Sequence, residues 1–215
     1  MLGAKARDDE QGGHVDADDA VRPAGAQTAL LPDEATVVAR ARDGNVEAFE
    51  ALVDHYQTPL FRYAYRLLGD RGSAEDVVQE TFVGAWRGLP TLTSTAAFRG
   101  WLYQIATRRS FDLLRVRRPQ PTAPDEEDER RGSLGDAARD RDDPAQMVVR
   151  RAQVQALQAA LATLPPEQRA AWSMHQIDGL SYDEVAVALR VPPSTVRGRI
   201  ARARQNLAER MASWR

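Results

Sequence analysis

Residues 178–211 read DGLSYDEVAVALRVPPSTVRGRIARARQNLAERM, and the part from Gly179 to Pro193, GLSYDEVAVALRVPP, divides the stretch in two. Ser181 followed three residues later by Glu184 is a capping box: the hydroxyl takes a backbone N–H at the start of a helix, and the carboxylate returns to the cap's own N–H. Val185, Ala186 and Leu189 give this short helix an apolar face. Pro192 and Pro193 end it and suit the first turn of another, where a missing N–H leaves no helical bond unmade. From Ser194 onward Val196, Ile200, Ala203, Leu207 and Met211 recur at steps of three and four, which draws one buried stripe along a second helix. Arg197, Arg199, Arg202 and Arg204 lie off that stripe. A basic helix packed on a shorter one through a tight turn is the geometry that enters a DNA major groove. The plainer reading is a helical hairpin with a solvated basic face.

The rest of the chain narrows the choice. Of its 215 residues 43% are hydrophobic and 28% charged, enough for real cores in one medium or two small domains. No apolar run approaches the roughly 18 residues of a membrane span, and the N-terminus is acidic where a secretory signal would be basic and then apolar, so a cytoplasmic protein is expected. With no cysteine, the chain forms no disulfide, thiolate metal site or cysteine nucleophile. His14, His55 and His175 are too scattered for a metal cluster or proton relay. There is neither a glycine-rich phosphate loop nor a nucleophile–histidine pair, so no catalytic residue, metal, cofactor or small-molecule substrate is expected.

A formal net charge of −2 is unpromising for a nucleic-acid binder until it is divided along the chain. Met1–Ala35 holds eight acidic residues against three basic, and Pro119–Gln146 nine against four. Arg190–Arg215 holds seven arginines against Glu209 alone. The average conceals a basic working surface.

The same segregation sets the predicted organisation: a disordered acidic tail over 1–31, a helical domain over 32–118, an acidic linker over 119–145 and a second helical domain over 146–215. In the first domain a short helix runs from Asp33 to Arg42. Asn45 caps a long one that Pro59 bends rather than ends. Ser73 and Asp76 are read as the capping box of a third, AEDVVQETFVGAWRGL, and Thr95–Val116 makes a fourth. Helix resumes near Ala145 and breaks at Leu164–Pro165–Pro166. The fold class is therefore all-α, two small helical domains joined by a flexible acidic tether. In the third helix Asp76, Gln79, Glu80 and Val83 share a face, acidic at one end and apolar at the other, while Val77, Phe82 and Trp86 are available to the core. The acidic cluster could equally do no more than favour the helix N-terminus, worth about 0.3 to 1 kcal/mol. The fourth sets Phe98, Trp101, Leu102, Ile105 and Phe111 among arginines, a mixture suited either to a core or to stacking and neutralising single-stranded DNA.

Three stretches, EDVVQETFVGAWRGL, AFRGWLYQIATRRSFDLLRVRRP and LATLPPEQRAAWSMHQIDGLSYDEVAVALRVPPSTVRGRIARARQNL, resemble the sigma-two and sigma-four domains of extracytoplasmic-function sigma factors, group IV of the sigma-70 family of bacterial RNA polymerase. The resemblance covers Asp33–Met211. It implies a promoter-specificity subunit that binds core RNA polymerase through Asp76, Gln79, Glu80 and Val83, facing the clamp helices of the largest subunit. It implies that the loop Gly88–Ala97 pockets a base flipped from the non-template strand of the minus-ten element, with Leu89, Thr91, Ser94, Arg99, Trp101, Gln104, Arg108 and Arg115 as the minus-ten residues. For the minus-thirty-five element it implies Ser194, Thr195, Arg197, Gly198 by close backbone approach, Arg199 and Arg202, with Arg204 on phosphate. The acidic linker would thread toward the active-site cleft of polymerase as well as tether the domains, and an anti-sigma factor is the expected regulatory partner.

The sequence departs from the family pattern at three places. The usual IARN reads IATR over Ile105–Arg108, which puts Arg108 where asparagine is common and bears on minus-ten specificity. Arg190 stands where the turn usually has glycine, and Ser194 and Gly198 stand where the family often has Gly and Ser. The alternative reading is a free-standing dimeric helix-turn-helix regulator, which would bind palindromic duplex by itself.

Overall fold

The computed structural model describes residues 33–116 and 156–211; the tail, the acidic linker and the expected restart of helix near Ala145 lie outside these residues. Among the described residues there are helices and turns and no strand. The first unit comprises α1 (Glu34–Arg42), α2 (Val46–Leu68), α3 (Arg71–Gly88) and α4 (Phe98–Val116). The second comprises α5, described over 156–162, then α6 (Pro166–Trp172), α7 (Tyr182–Leu189) and α8 (Pro193–Met211).

Local chemistry sets the boundaries. Asn45 Oδ1 accepts from the Ala48 N–H at 2.7 Å and starts α2, which runs unbroken past Pro59. Gly69 ends it in the left-handed region at φ 72°, where its N–H reaches Tyr65 O. The expected Ser73–Asp76 capping box does not form: α3 begins two residues before Ser73 and its cap is Asp70, whose carboxylate accepts from the Ser73 N–H at 2.8 Å. Ser73 already lies in the first turn, so Asp76 is left on the outer surface. The Ser181–Glu184 box forms as read, with both reciprocal bonds. Pro166 opens α6, and a π-helical turn over Ser173–Ile177 extends it toward Gly179, φ 71°.

The core of the first unit is a layer of Leu52, Tyr56, Leu60, Tyr63 and Leu67 from α2, covered by Val77 and Ala85 of α3 and by Phe98, Leu102 and Tyr103 of α4. Of its polar members, the Tyr63 and Thr107 hydroxyls meet at 2.7 Å and Thr107 also donates to Tyr103 O, while the Tyr103 hydroxyl is buried without a hydrogen-bond partner among the described residues. Trp86 departs from expectation: 37% exposed, it lies over Phe49, with ring centroids 4.8 Å apart. In the second unit Val196, Ile200, Ala203 and Leu207 form the predicted buried stripe of α8. Leu161 and Leu164 close its far end, against Ala203 and Leu207.

The two units are not held apart. α4 lies along α7, and the apolar cluster of the first unit continues without a break into Met174, Leu180, Val185 and Ile200 of the second.

Candidate nucleic-acid interface

Helix α8 turns the residues between its buried stripe outward. Ser194, Arg197 and Arg202 are exposed, and Thr195, Gly198, Arg199 and Arg204 are half-buried beside them. The Arg197 guanidinium lies 5.4 Å from the centroid of Tyr182, which in turn stacks on His175. This holds a long side chain in a defined pose before any ligand arrives. Arg202 Nε donates to Gly198 O at 3.1 Å. A Cβ added at Gly198 would meet only the Arg202 guanidinium, at 3.6 Å, so the backbone there lies open to close approach. The turn before α8 carries the strain expected of its non-glycine residue: Arg190 sits at φ 53°, ψ 45°, and Val191 N–H closes the α7 end on Ala186 O.

On the opposite unit, Asp76, Gln79, Glu80 and Val83 all lie on the exposed face of α3, and the face ends in an apolar patch of Val83 and Trp86. Glu80 is paired with Arg109 of α4.

The residues expected at the minus-ten element divide into three groups. Thr91 and Ser94 are exposed on the loop before α4, and Arg108 and Arg115 are exposed on α4 itself, Arg115 paired with Asp112. Leu89 is fully buried and anchors the loop, so it cannot touch a base in this conformation. Trp101 is half-buried against Gly88, where an added Cβ would come within 3.0 Å of its ring. Arg99 and Gln104 point at the second unit. Arg99, 7% exposed, donates to Asp178 O and Gly179 O and lies 3.8 Å from the Glu184 carboxylate. Gln104 Nε2 donates to Val187 O at 2.7 Å, and its Oε1 accepts from Arg190.

That seam holds residues the sequence reading missed. Arg66 Nη2 donates to both carboxylate oxygens of Asp178, at 2.7 and 2.6 Å, with only 9% and 6% of the two side chains exposed. Burial pushes the Asp178 carboxyl above its ordinary range, and Arg66, followed by Arg99, offsets part of that. Arg169 reaches across as well, donating to Leu67 O at the end of α2 and to Ala162 O and Leu164 O at the end of α5. No periodicity could have paired Arg66 with a residue 112 positions away. The one local signal was an aspartate just before a turn glycine.

Comparison with known proteins fits this arrangement. Residues 52–120 match the family model for Sigma-70 region 2, and residues 154–207 that for Sigma-70 region 4. The RNA polymerase sigma-H factor of Pseudomonas aeruginosa is 33% identical over 171 residues, which covers 79% of this chain and 89% of that protein. The ECF RNA polymerase sigma-E factor of Escherichia coli has the same identity and coverage. Among solved structures, CnrH in complex with the cytosolic domain of CnrY superposes with a TM-score of 0.63 at 27% identity, covering 84% of this chain and 97% of that one. The sigma factor RpoE of Bartonella quintana, solved with the anti-sigma factor NepR, shares the fold with a TM-score of 0.59 at 22% identity, over 79% of this chain and 100% of that one.

Proposed function

This chain belongs to the extracytoplasmic-function group of the sigma-70 family of RNA polymerase sigma factors, and on that premise we propose the division of labour among its surfaces. It is a promoter-specificity subunit of bacterial RNA polymerase. It acts by binding and positioning, with core polymerase supplying the chemistry. The α3 face of Asp76, Gln79, Glu80 and Val83 docks on core polymerase, its carboxylates meeting cations and its Val83–Trp86 end burying apolar surface. The loop Gly88–Ala97 and the outer face of α4 take the melted minus-ten strand, with Thr91 and Ser94 at the pocket, and Arg108 and Arg115 on the backbone. The outer face of α8 reads the minus-thirty-five element in the major groove: Ser194, Thr195, Arg197, Gly198, Arg199 and Arg202 lie near base edges and Arg204 near phosphate.

The observation that carries this reading is α8 itself, a helix with its apolar stripe buried from Val196 to Leu207 and its arginines off that stripe in a capped helix-turn-helix. An anti-sigma factor is the proposed regulatory partner, which would cover the apolar and basic surfaces that both units expose. The proposed location is the cytoplasm, where polymerase and promoters are; no described helix is long and apolar enough to cross a membrane. Run-off transcription with core polymerase on a randomised promoter library tests the function. Enrichment of one pair of elements with a fixed spacing is expected. Transcripts no different from those of core polymerase alone, or a dimer that binds palindromic duplex unaided, would sink it.

A further inference from the structure

Tyr182 and His175 have no part in the division of labour above, yet they form the setting of one of its base readers. Tyr182 is the first residue of α7, placed directly after the Ser181 cap, and its half-buried ring packs against the core. His175 lies in the π-helical turn Ser173–Ile177, and its Nδ1–H donates to Leu180 O at 2.8 Å, past the left-handed Gly179. That bond fixes the imidazole, which stacks on the Tyr182 ring with centroids 4.3 Å and planes 29° apart. The same ring carries the Arg197 guanidinium, 5.4 Å from its centroid. Carbonyl, imidazole, phenol ring and guanidinium therefore form one chain that leads from the π turn to the outer face of α8.

The way Arg197 is held separates it from other outward arginines. Arg202 Nε donates to Gly198 O, Arg109 is paired with Glu80 and Arg115 with Asp112. Arg197 makes no hydrogen bond or ion pair among the described residues, and its contact is with a ring. A guanidinium attracted to a π face is held through its charge, so its N–H donors stay available for the paired acceptors of a guanine edge. A side chain already confined also loses less rotamer freedom on docking than one that sweeps through solvent. Cation–π attraction at an exposed site amounts to about twofold to fivefold in an equilibrium. That is small beside the stability of a domain, but sizeable beside the discrimination of a bidentate base contact, about fivefold to a hundredfold.

We propose that Tyr182 and His175 are positioning residues of minus-thirty-five recognition: His175, pinned to Leu180 O, holds the Tyr182 ring, and the ring holds Arg197 in the pose from which it reads a base. Preference at one position of the element then depends on side chains that act through Arg197. The inference rests on the assignment of Arg197 to a base edge.

Run-off transcription with core polymerase on the full set of single-base variants of the minus-thirty-five element tests this. Tyr182→Leu, which keeps an apolar side chain and removes the π face, should relax preference by about twofold to fivefold at the position that Arg197→Ala relaxes, and leave the other positions as in the wild type. Tyr182→Phe, which keeps the ring, should retain the wild-type profile. Tyr182→Leu combined with Arg197→Ala should be no flatter than Arg197→Ala alone, since the ring acts only through the cation. His175→Ala should relax the same position by a smaller factor. Each profile is a ratio between promoters on one preparation, so partial unfolding lowers all of them together and cannot imitate a change at one position. A wild-type profile in Tyr182→Leu beside a relaxed one in Arg197→Ala, or a double variant flatter than Arg197→Ala, would overturn the positioning role. So would a Tyr182→Phe protein weakened on all promoters alike, the mark of a hydroxyl on phosphate. An Arg197→Ala profile relaxed at no position would instead remove Arg197 as a base reader, and the positioning role would fall with it.

Discussion

Arg190 is the residue at which this sequence works against its own backbone. It ends α7 at φ 53°, a region that costs a side chain bearing a Cβ on the order of 1–2 kcal/mol. Its compensation is one exposed bond to Gln104 at 3.4 Å. Arg190→Gly is therefore expected to stabilise the chain by about 0.5–1 kcal/mol after the greater freedom of glycine in the unfolded state is subtracted; thermal melts should show a rise of a few degrees, and an unchanged or lower midpoint would contradict the strain. The arginines of α8 make a second prediction. Arg197, held over Tyr182, is the proposed base reader, and its replacement by Ala should cost about 1–3 kcal/mol at one position of the minus-thirty-five element. Arg204→Ala should weaken all promoters alike and lower the salt dependence by about one charge. Transcription from single-base promoter variants at two salt concentrations separates the two; identical profiles would mean that α8 contributes charge only. The outward placement of Arg197 was legible in the sequence, since a 3.6-residue period is a local property, whereas the left-handed turn at Arg190 was implied only by the family resemblance, in which that position is usually glycine.

At the scale of the element, α3 is one amphipathic rod with two customers. Val77 and Ala85 face the core, and Asp76, Gln79, Glu80 and Val83 face out. Changing Asp76 and Glu80 together to Arg should abolish binding to core polymerase while leaving helical circular dichroism unchanged, because neither carboxylate is buried. The Glu80–Arg109 pair is exposed, and such pairs contribute about 0–1 kcal/mol, so its loss alone should not unfold the unit. Binding measured by competition for core polymerase decides the matter: unaltered affinity in the double variant removes α3 as the docking element. The start of α3 was misread because two capping patterns overlap. Asp70 and Ser73 can each serve as an N-cap, and Asp70 wins by accepting the Ser73 N–H itself and adding three residues, Arg71, Gly72 and Ser73, to the helix. Trp86 was assigned to the core because its spacing allows it; that its ring instead caps Phe49 at the edge depends on where α2 lies.

For the whole molecule, a core that runs without a break from α2 and α4 into α7 and α8 makes the two units one cooperative body when closed. Calorimetry of the wild-type chain should show a single transition, and Asp178→Ala, which leaves Arg66 buried without its partner, should split it in two; two transitions already present in the wild type would mean that the units fold independently. The sequence by itself determined the all-helical class, most of the element boundaries, the capping box of α7, the stripe of α8 and the outward arginines, because each is written in neighbours three or four residues apart. Only the tertiary structure decided that Arg99 and Gln104 turn toward α7, that Arg169 caps the end of α2, and that Arg66 meets Asp178 across 112 residues. Those contacts depend on which helix faces meet and how closely, and at Gly100 that distance is set by the absence of a single carbon atom.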